Sequence, residues 1–442
     1  MKNRQTTQTR RTSMKIRSAS IGLLAATALL LSACTGGSAT DTAKESSKDG
    51  KLSGEISFQT WSLKNDKFTP YFEKLIADFE KANPGTKIKW IDQPGDGYED
   101  KVLQQAESGE LPDVVNLPPE YAYALASVDK LVDLKKESKA ISEYVPGGVD
   151  AYAFDGIEGA YGFPWYLGTE LNYWNTELLQ KAGLQEPPAT YKDLWDVAGK
   201  LGESGIQTIS DLPSPKGLQI MVSDAGGHLD IIKDGKFVFN TPEAEAIINT
   251  YVELYKKGAI SPEALQNAGT ANANVNNFNK GTAAWTTAGP NYIDKDVAVN
   301  APTLLPKIKV TAGFGNPPLF VQGISVSKDS KNPELAMKFA EFVTNTKNQI
   351  EFVKLAVGFF PGTIAANADP SSFAIKAEHE QQKVATDLAA KQMDKAKMTG
   401  DSKFTTEMET FAKQQIALAV KGEITAKEAL DKAVEHAQQN LK

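Results

Sequence analysis

The side chains with a capacity for chemistry are few and unevenly placed. One cysteine, Cys34, and three histidines, His228, His379 and His436, stand in 442 residues, and no two of them lie at metal-ligand spacing. No Gly-rich phosphate loop ending in Lys-Ser/Thr and no Gly-x-Ser-x-Gly elbow occurs, and Gly95-Asp96-Gly97 lacks the spacing of a calcium loop. Neither a metal nor a cofactor is therefore expected. What recurs is a large ring, an amide or a carboxylate at the end of an apolar run: Trp61; Asp92 with Gln93; Asn116 followed by Glu120 and Tyr121; Trp165 with Tyr166. Such groups suit non-covalent recognition of a hydroxyl-bearing solute, because flat rings cover its C–H faces and planar polar groups replace the water lost from its hydroxyls. No arginine follows Arg17, so guanidinium recognition of a carboxylate is closed to the rest of the chain.

Among the elements that carry these residues, Glu55-Ile56-Ser57-Phe58-Gln59-Thr60-Trp61 alternates as a half-buried strand does. Phe68, Tyr71, Phe72, Leu75, Ile76 and Phe79 follow at helical spacing, Asn83-Pro84-Gly85 stops that helix, and Lys87-Ile88-Lys89-Trp90-Ile91 resumes a strand. A further helix over 98–106 and a buried strand at 113–117 complete a βαβ pattern, which predicts a mostly parallel sheet with ligands at its carboxyl edge. Tyr161-Gly162-Phe163-Pro164-Trp165-Tyr166 interrupts the alternation and reads as a crossing into a second domain. Thr241-Pro242-Glu243, Ser261-Pro262-Glu263 and Asn332-Pro333-Glu334 each place a capping oxygen before a first-turn proline, and Asp234-Gly235 reads as a hairpin turn. The chain from about residue 52 is too long for one ordinary core, so two domains are expected, and no internal repeat is present.

Cys34 ends the sequence Leu31-Ser32-Ala33-Cys34, behind a basic stretch and an apolar run over 21–31 that is too short to span a bilayer. This resembles the bacterial lipobox, which implies a signal peptide over residues 1–33, a lipidated Cys34 and a membrane contact through that anchor alone. Residues 34–54, poor in apolar side chains, are expected to be a disordered tether. Removing the signal takes away six of the 48 basic side chains and none of the 55 acidic ones, which leaves a formal charge of −13 and argues against nucleic acid as a partner.

Four blocks carry a wider resemblance. They are Phe79-Glu80-Lys81-Ala82-Asn83-Pro84-Gly85 with Leu111-Pro112-Asp113-Val114-Val115; Tyr161-Gly162-Phe163-Pro164 through Tyr173-Trp174-Asn175 to Ala182-Gly183-Leu184; Phe278-Asn279-Lys280-Gly281 through Trp285 to Gly289-Pro290; and Ile324-Ser325-Val326-Ser327 through Asn332-Pro333-Glu334 to Phe359-Phe360-Pro361-Gly362. In this order the chain resembles the extracellular solute-binding proteins of bacterial ABC importers, in the family that includes maltose-binding and other sugar-binding lipoproteins. The resemblance implies an α/β, two-lobe periplasmic-binding-protein-like fold with discontinuous lobes, 52–163 with 309–360 and 164–308 with 361–442, and a hinge of crossing segments. It further implies a monomer on the extracellular face of the cell membrane, with a mono- or oligosaccharide as ligand, an ABC permease as partner and no enzymatic turnover.

Within that frame Trp61, Asp92, Gln93, Asn116, Glu120 and Tyr121 would line the cleft from the first lobe and Trp285 and Asn291 from the second. Trp165, Tyr166, Gln322 and Phe359 would sit at the crossings. Core packing competes as an account of Trp61, packing between the lobes as one of Trp165 and Tyr166, which would otherwise line the cleft, Asx-turn chemistry as one of Asp92 and Gln93, and a helix start as one of Glu120. A lipid-anchored glycoside hydrolase, an adhesin, or a binder of some other solute remain open alternatives on sequence alone, since paired catalytic carboxylates have no fixed spacing.

Overall fold

The computed structural model describes residues 51–266, 273–374, 376–393 and 395–441, which belong to one compact unit. Cys34 and the proposed signal and tether up to residue 50 lie outside the described residues. Among those described, eleven strands form three sheets: β1 Gly54–Trp61, β2 Thr86–Gln93, β3 Val114–Leu117, β4 Phe163–Gly168, β5 Leu171–Asn175, β6 Ile232–Lys233, β7 Lys236–Phe237, β8 Trp285–Ala288, β9 Ile308–Thr311, β10 Phe320–Val326 and β11 Phe360–Pro361.

The larger sheet runs β11-β4-β10-β3-β1-β2. β1 pairs in parallel with both β2 and β3, as the βαβ pattern predicts, with Trp61 opposite Gln93. β10 then inserts antiparallel between β3 and β4, and β11 is antiparallel to β4, so the sheet is mixed. Its core is aromatic: Phe72, Phe79 and Phe339 from the Thr69–Ala82 and Pro333–Val343 helices close over Phe58 of β1. The smaller sheet runs β8-β5-β9, antiparallel throughout, and a separate helical core gathers Leu218, Phe239, Ile248, Ile416 and Leu430.

Sheet membership places the crossings later than the sequence suggests. The chain stays in the larger sheet as far as Gly168, enters the smaller one at Leu171, leaves it after Thr311 and returns at Phe320. The β4 residues Phe163, Trp165 and Leu167 are apolar and fully packed, which holds that segment inside the larger sheet. Beyond β11, Thr363 still bridges Tyr144, and Phe373 packs against Phe360. The Asp234-Gly235 hairpin is present between β6 and β7, with both residues at positive φ (50° and 71°). Thr241 caps its helix by accepting from Ala244 N, whereas Asn332 does not cap: its Nδ2 donates to the Glu55 carbonyl at 2.9 Å.

Candidate functional site

β1, β2, β3 and β4 all end at one edge of the larger sheet, and β10 begins there, so Trp61, Gln93, Asn116, Tyr166 and Gln322 are gathered at the edge from which the crossings leave. Trp61 is half-buried with its ring 5.9 Å from that of Tyr98, and its indole Nε1 finds no partner among the described residues. Gln93 joins an amide chain with Gln59, which pairs in turn with Gln105 at 3.0 Å. Asn116 is 1% exposed; its Nδ2 donates to Gln322 Oε1 (3.2 Å) and to the Gly323 carbonyl (3.0 Å). Tyr121 stands half-buried beside Tyr98, and burial raises its hydroxyl pKa.

Other expected site residues are engaged within the protein. Asp92 accepts hydrogen bonds from Thr60 Oγ1 (2.6 Å), Leu63 N (3.1 Å) and Lys64 N (3.0 Å), so its carboxylate fixes the turn after β1. Trp165 is 0% exposed and stacks on Phe352 at 4.3 Å: it is core, as expected of a strand packed on both faces. Tyr166 shares that cluster, 4.9 Å from Phe359. Phe359 and Asn291 meet at a different place, a cavity of about 80 Å³ bounded also by Phe360 and Phe373, where Asn291 Nδ2 donates to the Val357 carbonyl. Glu120 faces a lysine, Lys216, at 3.7 Å.

Trp285 occupies the most elaborate polar and aromatic setting. It begins β8, and its Nε1 donates to Asn172 Oδ1 (3.0 Å) on β5, while Asn172 Nδ2 donates to the Ala312 carbonyl (2.8 Å). The indole is thereby locked by its edge and stays half-buried in a cavity wall. A cavity of about 180 Å³ opens beside it, walled by Trp285, Tyr191 and Phe314 and set with Glu170, Asp211 and Lys413. The Tyr191 and Phe314 rings are 4.7 Å apart and Phe314 lies stacked 6.4 Å from Trp285. Burial pushes the Glu170 carboxyl above its ordinary range, against a Thr287 hydrogen bond that lowers it. Asp211 is likewise raised by burial, although Lys413 Nζ approaches it to 3.2 Å. Of this set the sequence reading found Trp285 alone. Glu170 stood in view just past the Phe-Pro-Trp-Tyr break, but Tyr191, Asp211, Phe314 and Lys413 carry no local signal, being drawn together only by the fold.

The Thr406–Lys421 helix borders two spaces. Lys413 enters the cavity just described, while Thr410, Phe411 and Gln414 line a wider opening of about 600 Å³ whose other wall holds Tyr98 and Tyr121. Lys216 Nζ stands between the two sides, 3.7 Å from Glu120 and 3.3 Å from Glu409.

Two α/β bodies connected by crossing segments, with an aromatic and carboxylate-bearing cavity beside the crossings, define a two-lobe binding protein. A family model described as bacterial extracellular solute-binding protein matches residues 74–381, and the chain belongs to that family. Among curated relatives, the galactooligosaccharide-binding protein of Bacillus subtilis is 24% identical over 338 residues, 74% of this chain and 76% of the relative. The maltodextrin-binding protein MdxE of the same organism is 24% identical over 417 residues, 90% and 92% of the two chains. Among solved structures, the sugar-binding protein MalE of Xanthomonas citri superposes with a TM-score of 0.69 at 19% identity, over 88% of this chain and 97% of that one. The GacH receptor of Streptomyces glaucescens gives 0.66 at 20% identity, over 89% and 100%.

Proposed function

We propose that this chain captures a carbohydrate, a mono- or oligosaccharide, on the extracellular face of a bacterial membrane and hands it to the permease of an ABC importer without chemical change. The observation that carries the reading is the edge-locked Trp285 ring sharing a cavity with the acceptors Glu170 and Asp211 and the donor Lys413. A stacking face with converging hydrogen-bond partners suits a sugar ring, whose hydroxyls need replacements for water. The relatives named for galactooligosaccharide and maltodextrin binding support the same ligand class. One lobe carries the larger sheet, residues 52–168 and 320–373, and the other the smaller sheet and the C-terminal helices. Solute bound to both lobes favours their closure through its differential affinity for the closed form. Cys34, lipidated, tethers a monomer to the membrane, with two acyl chains enough for stable anchoring.

The test is thermal unfolding of the full chain carrying Cys34→Ser, against maltose, maltotriose, lactose, galactotriose and raffinose, with amino acids and dipeptides as controls. A sugar that raises the midpoint in proportion to the logarithm of its concentration and is recovered intact supports the reading. Recovery of cleaved sugar, or stabilisation by the amino acids alone, overturns it.

A further inference from the structure

Two segments that carry the chain between its sheets meet one buried side chain. Gln392 lies in the last turn of the Glu380–Met393 helix, which packs on β5 and β9, and is 6% exposed. Its Nε2 donates to Thr169 Oγ1 (2.8 Å) and to the Glu170 carbonyl (2.7 Å), both in the segment between β4 and β5. Its Oε1 accepts from Gly313 N (3.1 Å), in the segment between β9 and β10. The two segments run so close that a Cβ on Gly313 would stand 3.2 Å from the Glu170 carbonyl oxygen. The second segment is held further on as well, where Leu319 N donates to the Lys397 carbonyl (2.9 Å) and Lys397 N to that of Pro317 (3.1 Å). Glu170, Gly313 and Phe314 then continue into the wall of the cavity beside Trp285.

We propose that Gln392 is the positioning residue that makes these two segments act as one hinge and holds Glu170 and Gly313 in register at the ligand cavity. The inference deepens the receptor reading and rests on it for the meaning of closure. A hinge works by φ/ψ changes in a few linking residues, and two links that bend independently also permit twist and sliding. One amide that bonds both links couples their motion, and because both its donor protons and its oxygen are engaged, no apolar side chain of the same length can replace it without stranding buried polar groups. The cavity side chains on the two links keep their relative positions for the same reason.

The experiment is pulsed dipolar spectroscopy on the full chain with Cys34→Ser, spin-labelled at the exposed positions Glu73→Cys and Lys432→Cys, one on each body, with no solute added. Gln392→Met is expected to broaden the interlabel distance distribution and to speed hydrogen exchange at the Gly313 amide by about tenfold or more. Thr169→Val, which removes one acceptor from a residue 2% exposed, is expected to broaden it less. A folded Gln392→Met protein with the parent distribution overturns the proposal; if that variant does not fold, an unbroadened Thr169→Val protein does. Because no sugar enters, this result and the sugar panel can fail independently of one another.

Discussion

Trp165 and Trp285 have the same side chain in opposite employment. Trp165 is enclosed by Phe72, Tyr166 and Phe352, so Trp165→Ala opens a core cavity and is expected to cost about 3–5 kcal/mol in denaturant unfolding. Trp285→Ala removes a half-buried wall, and its main effect should be a roughly tenfold or greater loss of sugar affinity by calorimetry while the fold is retained. Glu170 adds a pH signature. Its folded carboxyl is raised above the ordinary value of 4.5, so the native state holds the proton more tightly than the unfolded chain does. Stability from this group is fully present below about 4.5 and declines as pH rises through the higher folded value. Glu170→Gln should flatten that decline in melting temperatures recorded across the window. The types of these residues were readable in the sequence, but their employment was not: Asp92 and Trp285 each end or begin a strand, and only the backbone amides of Leu63 and Lys64 decide that the first is a turn fastener.

Elements were the most legible level, because their signals are local. The strands expected at 55–61, 87–91 and 113–117 form at 54–61, 86–93 and 114–117, and these and the Asp234-Gly235 hairpin follow from periodicity and turn chemistry. Asn332 broke the pattern because a long-range acceptor, the Glu55 carbonyl, competes for its amide, and the crossings fell later than Phe163 because β4 is an interior strand rather than a linker. The Ala426–Gln439 helix gives a quantitative check. Thr425 accepts from Glu428 N at 3.1 Å while Glu428 Oε2 accepts from Thr425 N at 2.8 Å, a reciprocal cap at the start of the helix that closes the second core. Thr425→Ala is expected to lower unfolding free energy by about 1 kcal/mol, measured by urea titration with unchanged slope.

For the molecule as a whole, Lys216 is a cation shared by Glu120 from the larger-sheet body and Glu409 from the helical body. Lys216→Met leaves two carboxylates flanking an apolar chain, so the bodies should separate: the radius of gyration without solute rises at low salt, and the difference fades near ~1 M salt, where the Debye length is about 3 Å. A radius indifferent to this substitution at low salt would deny Lys216 any part in closure. The sheet order has another consequence, which concerns time. β3 and β4 are neighbours only through β10, whose residues 320–326 come more than two hundred positions after β3 in the chain. While the polypeptide emerges from a ribosome, the larger sheet has its middle missing, and the edges of β3 and β4 stay open until the late segment arrives. The delay makes any truncation before Val326 a source of sticky, unfinished strand edges rather than of a smaller folded body.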